Sequence, residues 1–155
     1  MRIVLQRVAS ASVAWDAGRD HRRNSIGHGL VLLLGVGPDD DEAIASRLAA
    51  KVSALRIFAD DRGRLDRSVV DVGGEALVVS QFTLYADLAG GRRPSFIGAA
   101  SPAQAERLYH GFADSLRRLG VRTQTGSFGA HMDVELVNEG PVTLVVSSDR
   151  WPTAV

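Results

Sequence analysis

The stretch LVLLLGVGPDDDE, residues 30–42, holds the transition on which the fold turns. Residues 30–36 are apolar apart from one glycine, as in a strand covered on both faces. Gly37-Pro38 breaks that strand, because proline lacks an N–H and fixes its φ. Asp39, Asp40, Asp41 and Glu42 then place negative charge where the dipole of a starting helix favours it. Ile44, Leu48, Val52 and Leu55 follow at spacings of four, four and three, which predicts an apolar helical stripe. DDRG at 60–63 closes the segment with a turn.

Working outward, residues 2–15 read as a strand, and the polar run 16–29 as a hairpin loop or a short pair of edge strands. Residues 75–84 (EALVVSQFTL) read as another strand, followed by a Gly-rich loop at 86–100. Ser101-Pro102-Ala103-Gln104 is a helix start, with Ser as N-cap, Pro in the first turn and Gln placed to close a capping box. Ala105, Leu108, Tyr109, Phe112, Leu116 and Leu119 mark its apolar face, and Gly120 its stop. Strands are expected at 121–128, 132–137 and 142–148, the last two joined by a tight turn at 138–141. Strands and helices do not alternate as βαβ units. The expected architecture is an α+β fold of mostly antiparallel sheet covered by two helices, and the 155 residues are read as one domain, 1–155.

Composition excludes several chemistries. Cysteine is absent, which removes disulfides, thiolate catalysis and Cys-ligated metal and fits a reducing compartment. His21, His28, His110 and His131 lack metal-ligand spacing, so no metal site and no cofactor is expected. The net charge is zero, which disfavours general duplex binding and hence DNA as a partner. The opening MRIVLQRV has no leader-like apolar region, and the longest apolar run, 30–34, is too short to span a bilayer. The chain therefore reads as soluble and cytoplasmic, without membrane contact. Phosphate-loop, dinucleotide and G-x-S-x-G signatures are missing.

Three constellations remain. In SQFTL, 80–84, strand alternation would put Gln81 and Thr83 side by side, opposite Ser80 and Phe82. The pair either holds a polar ligand or simply faces water. Asn138-x-Gly140-Pro141-x-Thr143 is either an ordinary hairpin turn or, with a cis Gly-Pro bond, a rigid pair of main-chain acceptors. Arg92-Arg93-Pro94-Ser95-Phe96 offers cations for phosphate and a ring for a base, or is a solvated loop. The cluster Arg19, His21, Arg22 and Arg23 is read as a solvated loop face, with contact to a nucleic-acid backbone as the alternative.

Together, SQFTL (80–84), RRPSF (92–96) and TGSFGAHMDVELVNEGPVT (125–143) resemble the D-aminoacyl-tRNA deacylase family, also called D-tyrosyl-tRNA deacylase. IVLQRVASASV, LLLGVGPDDDE and LRIFADDRGRL extend the resemblance over nearly the whole chain. The resemblance implies antiparallel sheets closing into a barrel-like core, with helices outside, and a homodimer with cross-subunit active sites. It implies that Gly140-Pro141 is the family's Gly-cisPro turn, excluding L-aminoacyl esters while D-aminoacyl and glycyl esters enter. Ser80, Gln81, Phe82 and Thr83 would line the pocket for the tRNA's 3′-terminal adenosine and the scissile ester. Thr83 would be a nucleophile or would orient the ester, and the Phe82 N–H would face the developing oxyanion. The adenosine 2′-OH would assist water, so no side-chain base is needed. Asn138 and Thr143 would support the turn, with Arg92, Arg93 and Phe96 touching tRNA. The chain departs from the family at His131, where Asp is usual, and in a longer 16–25 loop. Two other readings stay open: a non-catalytic dimer that binds acceptor ends, and a small esterase built on Ser80 and His131.

Overall fold

The computed structural model describes residues 1–149. Its elements run β1 (Arg2–Ala17), β2 (Asp20–Ile26), β3 (Gly29–Gly35), α1 (Glu42–Ser53), β4 (Phe58–Ala59) and β5 (Leu65–Arg67). There follow β6 (Glu75–Ser80), a 3₁₀ turn at Phe82–Tyr85, α2 (Pro102–Arg118), β7 (Arg122–Thr125) and β8 (Met132–Ser147). The main sheet has the order β2-β1-β3-β6-β7, with β8 on the other side of β1. All pairings of β1 are antiparallel, while β3–β6 and β6–β7 are parallel. The fold is thus α+β with mostly antiparallel pairing, as the sequence implied, but the sheet is mixed.

The sheet curls until its two ends meet. Asn24 of β2 donates its side-chain amide to the Thr125 carbonyl of β7 (2.7 Å), which nearly closes a barrel. The alternation of β3 divides the apolar residues between the two sides. Leu30, Leu32 and Leu34 join Ala76 and Val78 under the helices, where Leu48, Val52, Leu108, Phe112 and Leu116 cover them. Val31 turns inward with Val8, Val13, Ile26, Leu77 and Val79 to fill the barrel. This two-sided burial is why residues 30–36 carry no polar side chain.

Both helices start as expected. Asp41 caps α1 by accepting from the Ile44 N–H (2.7 Å), and Ser101 caps α2 from the Gln104 N–H (3.4 Å). The Gln104 side chain does not close a capping box. It reaches instead to the Pro38 and Asp40 carbonyls (3.0 Å each), tying α2 to the start of α1. Leu55 and Leu119 fall just beyond the helices, and Gly120 (φ +87°) makes the stop. Among the described residues, no helix is long and apolar enough to cross a membrane.

Three boundaries differ from the sequence reading. The strand expected over 75–84 stops at Ser80. Ser80 pairs with Leu34, the Gln81 N–H makes a last bond to the Leu34 carbonyl (2.8 Å), and the chain then folds over Gly35. A Cβ at Gly35 would lie 2.9 Å from the Gln81 carbonyl oxygen and 3.2 Å from Tyr85, so only glycine admits this crossing. The second difference concerns 138–141. No hairpin turn separates two strands there, since Met132–Ser147 is one strand along β1. Between the pairs Val8–Asn138 and Gln6–Thr143, a single β1 residue, Arg7, faces residues 139–142. The turn-forming residues make an excursion inside a strand. The strand expected over 121–128 is shortened to Arg122–Thr125.

Candidate functional site

Where β6 ends, a cavity of about 560 Å³ opens beneath the 3₁₀ turn, within the range usual for small-molecule sites. Ser80, Gln81, Phe82 and Phe96 line it, as do Leu34, Val79, Ala100, Tyr109, Phe128 and His131. No carboxylate lines the wall. Tyr109 crosses from α2 and donates its hydroxyl to the Val78 carbonyl (2.8 Å), with Gly126 at 3.4 Å. Burial pushes this phenol up to about 12, so it remains a neutral donor at physiological pH. Its ring packs on Phe128, fixing the floor of the cavity to the loop that carries His131.

Gln81 and Thr83 do come together, for a reason other than strand alternation. The turn over Gly35 brings the Gln81 amide onto the Thr83 hydroxyl, to which it donates at 2.5 Å. Both lie at the surface end of the site, and Phe82 between them is 57% exposed, meeting Phe96 edge to face at 4.9 Å. Behind the turn, Tyr85 is buried beside Asp40, and burial foremost, then that negative charge, raises its hydroxyl far above the ordinary value. Tyr85 is thus a fixed neutral prop under the turn.

The second motif stands elsewhere in the chain. The Gly140-Pro141 bond is cis and Gly140 has φ +129°. Asn138 clasps the excursion at its base: its carbonyl oxygen accepts from the Val142 N–H (2.9 Å), and its amide donates to the Val142 carbonyl and the Thr143 hydroxyl (3.2 Å each). Thr143 also accepts from the Gln6 amide (3.2 Å). Arg7 holds the other flank. It is nearly buried, donating to the Glu139 carbonyl (3.1 Å) and the Ile57 carbonyl (2.5 Å). Its guanidinium lies 3.5 Å from the Glu139 carboxylate, which also meets His28 at 2.9 Å.

Sequence reasoning missed Arg7, and also His28 and Glu139. On an alternating strand an arginine reads as solvent-facing. The only hint was its place in the row Ile3, Leu5, Arg7 on one face of β1, where the preceding residues are apolar.

The two motifs do not meet within one chain. Arg7 pairs with Leu30 and so with the Ala76 row of β6, whereas Ser80 lies four residues farther along, about 13 Å at the usual strand rise. Gly140, Pro141, Asn138 and Thr143 are absent from the cavity wall, as are Thr83, Arg92 and Arg93. Arg92 and Arg93 are exposed on the loop tied at its base by Asp87 and Ser95. Among the described residues, no group of His, Asp or Glu side chains is arranged to hold a metal ion.

Comparison with known proteins bears on both motifs at once. The family model described as D-Tyr-tRNA(Tyr) deacylase matches residues 4–147, which includes each of them. A D-aminoacyl-tRNA deacylase from Thermomicrobium roseum is 58% identical over 148 residues, 96% of this chain and 94% of that protein. A solved structure titled c-Myc DNA Unwinding Element Binding Protein is 37% identical and covers 97% of this chain and 100% of its own, with a TM-score of 0.85. Another, of a probable eukaryotic D-amino acid tRNA deacylase, superposes with a TM-score of 0.79 over 94% of this chain and 97% of its own. At 17% identity that last likeness speaks to the fold alone. Sequence match and shared architecture both run essentially end to end, and the chain belongs to the D-Tyr-tRNA(Tyr) deacylase family.

Proposed function

We propose that this protein hydrolyses the ester linking a D-amino acid to the 3′-terminal adenosine of tRNA. The observation that carries the proposal is the pairing of a carboxylate-free cavity at Ser80–Phe82 with a rigidly held Gly140-Pro141 excursion, in a chain of this family. The cavity takes the adenosine. Water attacks the ester carbonyl, the tetrahedral intermediate expels the ribose 3′-oxygen, and free amino acid and tRNA leave.

Thr83 orients the ester and is not the nucleophile. Its hydroxyl accepts from the Gln81 amide, and an amide N–H cannot take the hydroxyl proton as a nucleophile would require. The adenosine 2′-OH assists the water instead. Phe82 opens the 3₁₀ turn, where the first N–H groups lack partners inside the turn, and its N–H faces the developing oxyanion.

The carbonyls of the excursion select handedness at the α-carbon, excluding L side chains and admitting D-aminoacyl and glycyl esters. Since the motifs stand apart in one chain, a second copy supplies the excursion to each cavity. The outer edge of β8 supports such a homodimer. Among the described residues β8 pairs only with β1, and it exposes Val134, Val137, Leu144 and Val145. Arg92, Arg93 and Phe96 contact the tRNA end. The setting is the cytoplasm, with no DNA, membrane or cofactor required.

Incubation with D-Tyr-tRNA and L-Tyr-tRNA should release only the D amino acid. Equal rates, or no release, would end the proposal. The esterase reading rests on Ser80 and His131 lining one cavity. The present mechanism gives His131 no proton to move, so His131→Ala should keep its kcat on the D-ester within about threefold. A loss of about a hundredfold or more, the order expected on removing a general base, would favour the Ser–His esterase.

A further inference from the structure

A shelf lies beside the cavity mouth that the terminal adenosine does not account for. Phe82 and Phe96 border the mouth with their rings in contact. On the loop that leads to Phe96, Leu88 is 62% exposed, and Ile97, next to Phe96 in the chain, is 93% exposed. Single exposed apolar residues are ordinary, but here they accompany a ring pair at an opening. The loop between them is pinned by reciprocal bonds between Asp87 and Ser95 (2.8 and 2.9 Å), so its base is fixed. Arg92 and Arg93 ride on that loop, with no acidic partner among the described residues. Arg93 is two residues from Ser95, within about 7 Å of it along the chain.

We propose that this shelf is a second nucleotide subsite, for the nucleotide immediately 5′ to the terminal adenosine. Its base stacks on the Phe82–Phe96 pair and against Ile97, and Arg92 and Arg93 take the linking phosphates. The inference rests on the reading that the cavity holds the adenosine. The chemistry is that of single-strand binding: an apolar platform accepts any base by its face, and unpaired guanidinium groups meet phosphate oxygens. A neutral protein thereby places its cationic contacts where the substrate's charge enters.

The test compares two small substrates with the full-length protein: a D-tyrosyl ester of adenosine, and the same ester on the trinucleotide cytidylyl-cytidylyl-adenosine. The trinucleotide should show about tenfold higher kcat/KM, carried by KM, the scale expected for one stacked base. The double variant Leu88→Ser, Ile97→Ser should lose part of that preference, the Phe82–Phe96 pair remaining in place, and keep its rate on the adenosine ester. Arg92→Ala with Arg93→Ala should flatten the salt dependence of the preference. Equal kcat/KM for the two substrates overturns the subsite, as does an undiminished preference in the Leu88, Ile97 variant. A dimer that dissociates in that variant gives the shelf to a second copy and also overturns it. If neither ester is cleaved, the parent reading falls and the subsite with it.

Discussion

Arg7→Ala should lower D-ester turnover by about a hundredfold or more, the scale seen when a positioning contact shifts a site by an ångström. The side chain is 10% exposed and joins the Gly140-Pro141 excursion to the rest of the barrel. Truncation strands the buried Ile57 carbonyl, whereas the carbonyl of the exposed Glu139 can turn to water. Each unsatisfied buried group costs about 1–3 kcal/mol. The Glu139 carboxylate is 46% exposed, so the ion pair itself adds little. The expected destabilisation is about 1–3 kcal/mol, a fall in Tm of roughly 2–12 °C for a chain of this size. Arg7→Lys keeps the charge and loses the forked geometry, and should recover stability better than turnover. Kinetics below the variant's Tm, alongside thermal denaturation, separate the two effects. An Arg7→Ala protein with full turnover would remove the excursion from the mechanism.

Gly29→Ala should prevent folding altogether. A Cβ there would sit 2.0 Å from the Glu75 carbonyl oxygen, 2.7 Å from its nitrogen and 2.8 Å from its carbonyl carbon. All three are backbone atoms of the strand paired with β3, so no side chain can swing aside. Relief requires the parallel ladder to separate at its first rung, and Ser80 stands at the last. A cost above about 4–5 kcal/mol takes most of the stability of an ordinary domain. Gly111→Ala is the matched control. It lies inside α2 with open space around its Cβ, and should be neutral or stabilising by about 0.5–1 kcal/mol. Far-UV circular dichroism and soluble yield decide the matter. A folded Gly29→Ala protein with native Tm would show that the strands do not approach this closely.

What could be read from the sequence were features whose causes are local. Asp41, Ser101 and Gly120 mark helix ends by their own chemistry, and residues 30–36 announce burial because every side chain there is apolar or absent. What escaped depended on partners far along the chain. The pattern of 75–84 continues smoothly through Phe82 and Leu84, and nothing in it shows that pairing with the neighbouring strand ends at Leu34. Asn138-Glu139-Gly140-Pro141 has the composition of a hairpin turn. Whether the chain reverses there or merely steps aside is decided by β1, more than a hundred residues earlier. Arg7 shows the same limit, since its role is set by Glu139 and Ile57. Gln81 and Thr83 were paired correctly for the wrong geometric reason. The two motifs were recognised together, while their separation within a single chain became visible only from the ladder register.

That excursion has a mechanical consequence. The tip of a hairpin is tethered on one side and can swing about its base. Residues 139–142 are instead moored at two ends, with β1 pairing resumed before and after them. Such a segment has no hinge, and yielding to a visitor would mean straining the ladder to either side. The D- and L-aminoacyl esters of one tRNA carry the same groups and bonds and differ only in how those groups are arranged about the α-carbon. A compliant surface would mould itself to both, so the proposed selection of handedness needs a gauge that does not yield.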